Sequence, residues 1–135
     1  MLHVADPRAE KQLTAGFYPL FANGRWTGQT FSAILKPPPA ASRRGALLVA
    51  RFGIPESSIN YLHSMQLSAA VNGVALSPAS YTKAGEYEYV REVPAAAFHS
   101  GDAAVAFTLD KAMPPHDAES RTLGVVVTII GFEAR

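Results

Sequence analysis

The chain has 135 residues, 48% of them hydrophobic and 17% charged, with a formal net charge of +1 and no cysteine. That length suits one domain, which typically buries about two-thirds of its unfolded surface. The near-neutral charge, with basic residues scattered apart from Arg43-Arg44, argues against nucleic acid as a partner, and the absence of cysteine excludes a disulfide framework, a thiolate nucleophile and a Cys-based zinc site.

Residues 1–12 mix charges of both signs with one proline and show no period, which predicts an N-terminal arm or linker; the domain proper is read as 13–135. The N-terminus lacks the apolar run of about 7 to 15 residues of a signal peptide. No stretch reaches the roughly 20 apolar residues of a membrane-spanning helix uninterrupted. A cytoplasmic protein is the expectation, without a membrane span.

From Leu13 to Phe21 the chain is apolar and aromatic, and Asn23-Gly24 is a turn signal between antiparallel strands. After Arg25-Trp26-Thr27-Gly28, Gln29 to Leu35 places Phe31, Ala33 and Leu35 on one face of a second strand. Pro37-Pro38-Pro39 ends it, because proline cannot donate to a ladder. Beyond a loop over Ala40 to Arg44, Gly45 to Gly53 alternates as a strand. Ile54 to His63 reads as a loop, with Pro55-Glu56-Ser57-Ser58 as a turn or a single helical turn. Ser64 to Val71 is a strand leading into Asn72-Gly73, the strongest hairpin signal in the chain, since both central residues of a type I′ turn need positive φ. Val74 to Leu76 is its short return.

Tyr81 to Gly85 is a turn, Glu86 to Val93 a strand closed by Pro94, Ala95 to His99 one helical turn and Ala103 to Leu109 a strand. A polar loop from Asp110 to Ser120 leads to Arg121–Phe132. That last run holds seven β-branched or aromatic residues between Val125 and Phe132 and is expected to be a central strand buried on both faces. The pattern predicts an all-β fold of about eight strands, an antiparallel β-sandwich of jelly-roll-like form.

No catalytic constellation emerges. The four histidines are dispersed, no serine sits in a Gly-x-Ser-x-Gly elbow, and no glycine-rich phosphate loop precedes a helix. A protein without enzymatic activity, metal or cofactor is the expectation. The aromatics offer a binding reading: Trp26, Tyr18, Tyr81, Tyr87 and Tyr89 would make a platform for the apolar face of a sugar ring. The competing reading places Trp26 in the core and Tyr87 with Tyr89 in cross-strand packing. Arg25, Glu119 and Arg121 are candidates for an ion pair or for ligand contacts, and the His116-Asp117 loop for polar ligand contacts.

Four segments, Gly16-Phe17-Tyr18, Gly24-Arg25-Trp26-Thr27-Gly28, Val71-Asn72-Gly73 and Glu119-Ser120-Arg121-Thr122-Leu123-Gly124-Val125, resemble the small β-sandwich domains appended to bacterial glycosyltransferases and methyltransferases of surface-polysaccharide synthesis. The resemblance covers roughly 13–133. In that family the last segment usually reads Asp-x-Arg-x-Leu-Gly, and Glu119 stands at the Asp position; a Glu that tends to follow the family's first aromatic pair is replaced here by Leu20-Phe21. The resemblance implies a jelly-roll-like, non-catalytic accessory domain that binds carbohydrate, partnered with a parent glycan enzyme. On that reading Tyr18 and Trp26 stack on sugar while Arg25, Asp117 and Arg121 bond hydroxyls. The alternative is a structural interaction module, docking or homodimerising through an exposed edge or apolar face such as Phe17 to Phe21.

Overall fold

The computed structural model describes every residue from Met1 to Arg135. It is all-β, with 54% of residues in strands against 15% in helices. The ten strands are β1 (Leu2–His3), β2 (Leu13–Phe21), β3 (Gly24–Leu35), β4 (Ala46–Ile54), β5 (Met65–Val71), β6 (Val74–Ala75), β7 (Ala79–Tyr81), β8 (Gly85–Val93), β9 (Ala103–Leu109) and β10 (Val126–Ala134). Every pairing is antiparallel. The central order is β6-β5-β9-β3-β10-β4-β8, with β1 added to β10, β2 to β3 and β7 to β5. All ten belong to one hydrogen-bonded sheet that curls into a half-barrel around a single core.

The curl depends on β3. Its first residues pair with β10, Trp26 opposite Val126 and Arg25 opposite Val127, and its last six pair with β9, from Thr30↔Thr108 to Leu35↔Ala103. The bend shows in the register with β2: between Ala15↔Ser32 and Phe17↔Thr27, β2 spends only Gly16 while β3 spends Gly28 to Phe31. Such a bulge bends a strand and raises its twist. Gly16 is required at that point, since its φ is 77° and a Cβ there would lie 2.1 Å from the Thr30 carbonyl oxygen.

The far ends of the strand order meet through side chains rather than a ladder. Arg91 of β8 donates through Nε to Ser77 O and through Nη2 to Pro78 O, each at 2.9 Å. Tyr89 donates its hydroxyl to Ser77 O at 2.7 Å, and the Tyr81 and Tyr87 rings lie 4.5 Å apart, both against Phe52. Cross-strand packing is therefore what Tyr87 does, whereas Tyr89 is fully buried in the core.

Strict alternation holds in β9, where Ala103, Val105, Phe107 and Leu109 are buried and the residues between them exposed. The type I′ turn at Asn72-Gly73 forms as its residues require, with φ of 47° and 84°. Several expectations need correction. The first hairpin turns one residue earlier than Asn23-Gly24, at Ala22-Asn23, with Phe21 paired to Gly24. Gly24 is spent instead on close approach to β10, where a Cβ would lie 2.7 Å from Val127 O.

The Ile54 to His63 stretch contains a two-turn helix, α2 (Glu56–Leu62), that buries Ser58 and packs Ile59 and Leu62 on the core. The Ala40 to Arg44 loop contains α1 (Ala41–Arg44). The final strand starts at Val126 rather than Arg121 and is not dry on both faces, since Val126, Thr128 and Ile129 are only half-buried. A bulge between Val127 and Ile129 shifts its phase by one residue, so Val125, Val127, Ile130 and Phe132 all reach the same core.

Residues 1–12, expected as an arm, hold β1 and a 3-10 helix, Pro7–Gln12. Leu2 pairs with Ile130, and Val4 is completely buried. No helix is long and apolar enough to cross a membrane.

Gly16→Ala combines a positive φ with a backbone clash and is expected to cost at least about 2 kcal/mol. Urea denaturation measures it; a loss under about 0.5 kcal/mol, within the range of ordinary surface changes, would contradict the close β2–β3 crossing.

Candidate functional site

Three of the segments singled out in the sequence converge where β3 begins and where the chain enters β10. Thr27 is at the centre and has no exposure. Its amide donates to Val125 O at 2.9 Å and its carbonyl accepts from Gly124 N at 2.7 Å. Its hydroxyl donates to Gly28 O at 2.9 Å and accepts from Val125 N at 3.2 Å. A buried hydroxyl is tolerated because its hydrogen-bonding capacity is used in this way. Gly124 permits the approach: a Cβ on it would sit 2.4 Å from Gly28 O and 2.6 Å from Thr27 Oγ1.

Tyr18 fastens β2 to the same segment. Its hydroxyl donates to Thr122 O at 2.6 Å, and the Arg121 guanidinium lies 4.7 Å from its ring centroid, within cation–π range. Arg121 also pairs with Glu119, Nε to Oε1 at 2.7 Å, and donates its amide to the same oxygen at 3.0 Å. The hydrogen bond from Arg121 holds the Glu119 carboxyl below its usual range, and Glu119 in turn raises Arg121. The ion-pair role expected for two of Arg25, Glu119 and Arg121 thus falls to Glu119 and Arg121.

Arg25 is only 5% exposed. Its Nε donates to Val4 O at 2.9 Å and its Nη1 to Tyr18 O at 3.3 Å, so the guanidinium ties β3 to the N-terminal segment and to β2 through carbonyl oxygens. Tyr18, Arg25 and Arg121 are therefore brought together, with their polar atoms directed largely at the protein itself.

Trp26 alternates with buried Arg25 and Thr27 and is half-buried rather than in the core. Its ring centre is 6.5 Å from that of Phe21, tilted by 44°. Phe21 is 58% exposed and Leu20 45%, which makes the β2–β3 tip the most apolar exposed projection of the fold. Asp117 stands apart in an exposed turn closed by His116 and Glu119, with φ of 48°. Of the five-ring platform, Tyr81 and Tyr87 pack on Phe52 and Tyr89 lies inside, so the rings do not form one surface. Thr27 and Gly124 lie within two of the segments quoted from the sequence, but nothing local marked them as partners, because their contact joins residues far apart in the chain.

Thr27 and Gly124 themselves line none of the main surface cavities. One is lined by Lys36 to Pro39, by Ala41 and Ser42 of α1, and by Phe98 to Asp102. Another lies over His3, Asn23, Arg51 and Glu86. Comparisons with protein-family models, with curated proteins and with solved structures give no match.

Thr27→Val keeps the β-branched shape and removes the hydroxyl, leaving the Val125 amide without that acceptor. The expected cost is about 1 to 3 kcal/mol with the fold retained, read as a lower urea midpoint at unchanged slope. An unchanged midpoint would mean that the hydroxyl contributes nothing to the junction.

Proposed function

We propose that the chain is a non-catalytic interaction module that self-associates through the tip of the β2–β3 hairpin. The supporting observation is the pair Leu20 and Phe21, 45% and 58% exposed, beside half-buried Trp26. Fully burying a side chain of this kind is worth about 1.5 to 3 kcal/mol, so a hairpin that leaves two of them in water gains by covering them. Continuous strand addition along β2 is disfavoured, because Pro19 lacks an amide hydrogen and the bulge at Gly16 breaks the ladder. Contact would therefore be made by side chains at the tip.

A second reading, the carbohydrate-binding accessory domain of a glycan enzyme, takes the curled sheet as a jelly-roll-like sandwich and the cytoplasm as its location. It has one observation in favour: Phe21 and Trp26 leave ring surface accessible beside each other. Against its use of Arg25 and Tyr18, those groups already donate to Val4, Tyr18 and Thr122 carbonyls. Releasing them to sugar hydroxyls would exchange one set of hydrogen bonds for another at little net gain.

Light scattering across a concentration series tests the proposal, with Phe21→Ser as the comparison and a glycan array on the same samples. The wild type is expected to gain mass with concentration while Phe21→Ser stays monomeric. A wild type that is monomeric throughout would contradict it, and glycan binding lost in a folded Trp26→Ala variant would favour the carbohydrate reading.

A further inference from the structure

At the opposite end of β3 from the hairpin tip, the connection from β3 to α1 faces the loop that leads into β9. The cavity between them has a volume of about 330 Å³. That is at the small end of the roughly 300 to 1,000 Å³ typical of ligand pockets, which suits one ring rather than an extended chain.

Its walls are held in place by the fold. Leu35 and Ala103, the neighbours in sequence of Lys36 and Asp102, pair between β3 and β9. Phe98, 6% exposed, packs edge-on against Phe132 with ring centres 5.3 Å apart. Ala41 N donates to Pro38 O at 3.1 Å, and the three consecutive prolines have their φ fixed by their rings. A site with such walls loses little conformational freedom on binding.

The chemistry of the lining differs from that of the Thr27 junction. Lys36, Ser42, His99, Ser100 and Asp102 all line the cavity, yet none of their side chains takes part in a hydrogen bond or ion pair within the protein. Tyr18, Arg25 and Arg121, by contrast, are engaged. The cavity therefore offers donors and acceptors that a ligand can use without breaking protein contacts.

Its charged side chains are one cation, Lys36, and one anion, Asp102. An anionic ligand meets Asp102 and a cationic one meets Lys36, whereas a neutral molecule carrying both donors and acceptors can use both groups. The proline rings supply apolar surface for the carbon–hydrogen face of such a molecule. We infer that this cavity is a binding site for a small neutral polyhydroxylated ligand of about one sugar ring in size. The inference is independent of the hairpin-tip reading, because the two sites lie at opposite ends of β3.

The test is a two-dimensional amide NMR titration of the full chain with methyl glucoside, methyl galactoside and methyl mannoside, and separately with inorganic phosphate. At least one glycoside is expected to give saturable shifts in the millimolar range at Lys36, Ser42 and His99 to Asp102. Affinity should fall at least tenfold in both Lys36→Ala and Asp102→Ala, whose exposed positions leave the fold intact as judged by the remainder of each spectrum, and stay unchanged in Phe21→Ser. The inference would be overturned by no saturable shift at these amides with any glycoside, by wild-type affinity in either cavity variant, by shifts centred on the hairpin tip, or by tighter binding of phosphate than of every glycoside.

Discussion

The hydrogen bonds of Thr27 are the constraint on which the rest of this structure depends. A strand that must pair with β10 at one end and β9 at the other has to bend, and a bend leaves backbone groups without partners unless something nearby takes them. Thr27 meets that need on the β10 side through its amide, carbonyl and hydroxyl. Directly after it, β3 lengthens past Gly16 of β2 and turns towards β9. Gly124 and Gly16 allow the two close crossings that flank this bend, since side chains at either would collide with a carbonyl oxygen. Two parts of one sheet can thus face each other across a shared core.

The same economy separates structural from available chemistry. Buried polar groups are costly unless bonded, and the groups around the bend are bonded. Arg25 is satisfied by two carbonyls, Tyr18 by Thr122, and Arg121 by Glu119 and the Tyr18 ring. Surface that remains uncommitted lies at the ends of β3: apolar at the hairpin tip, where Leu20 and Phe21 face water, and polar in the cavity beyond Leu35. A bent strand with a packed middle places these two surfaces far apart, so one can change without disturbing the other.

Much of the β-structure was legible because it rests on local pattern. Period-two alternation marks β4, β5 and β9, and Asn72-Gly73 marks its turn, since those signals arise within a few neighbouring residues. Features created by distant contacts were hidden. The short strands β1 and β7 owe their pairing to Ile130 and to Met65 through Leu67, not to their own composition. The two-turn helix α2 is too short for a helical period to stand out among polar residues. The bulge in β10 made Val125 to Phe132 look buried on both faces, because a phase shift within one strand mimics a continuous apolar run. Among the candidate site residues, the pairing of Arg121 with Glu119 was within reach of their spacing, whereas the burial of Arg25 depends on Val4.

Amide hydrogen exchange at Thr27, Gly124 and Val125 tests the central claim most directly, because these are the three amides in the hydrogen bonds that Thr27 makes with the chain entering β10. If the junction holds the curled sheet together, they exchange only through global unfolding, with the same opening free energy as the core amides of β4 and the same dependence on denaturant. Exchange at these three residues through a local opening, well below the free energy of the β4 core, would show that the sheet holds its curl without them and would contradict this account.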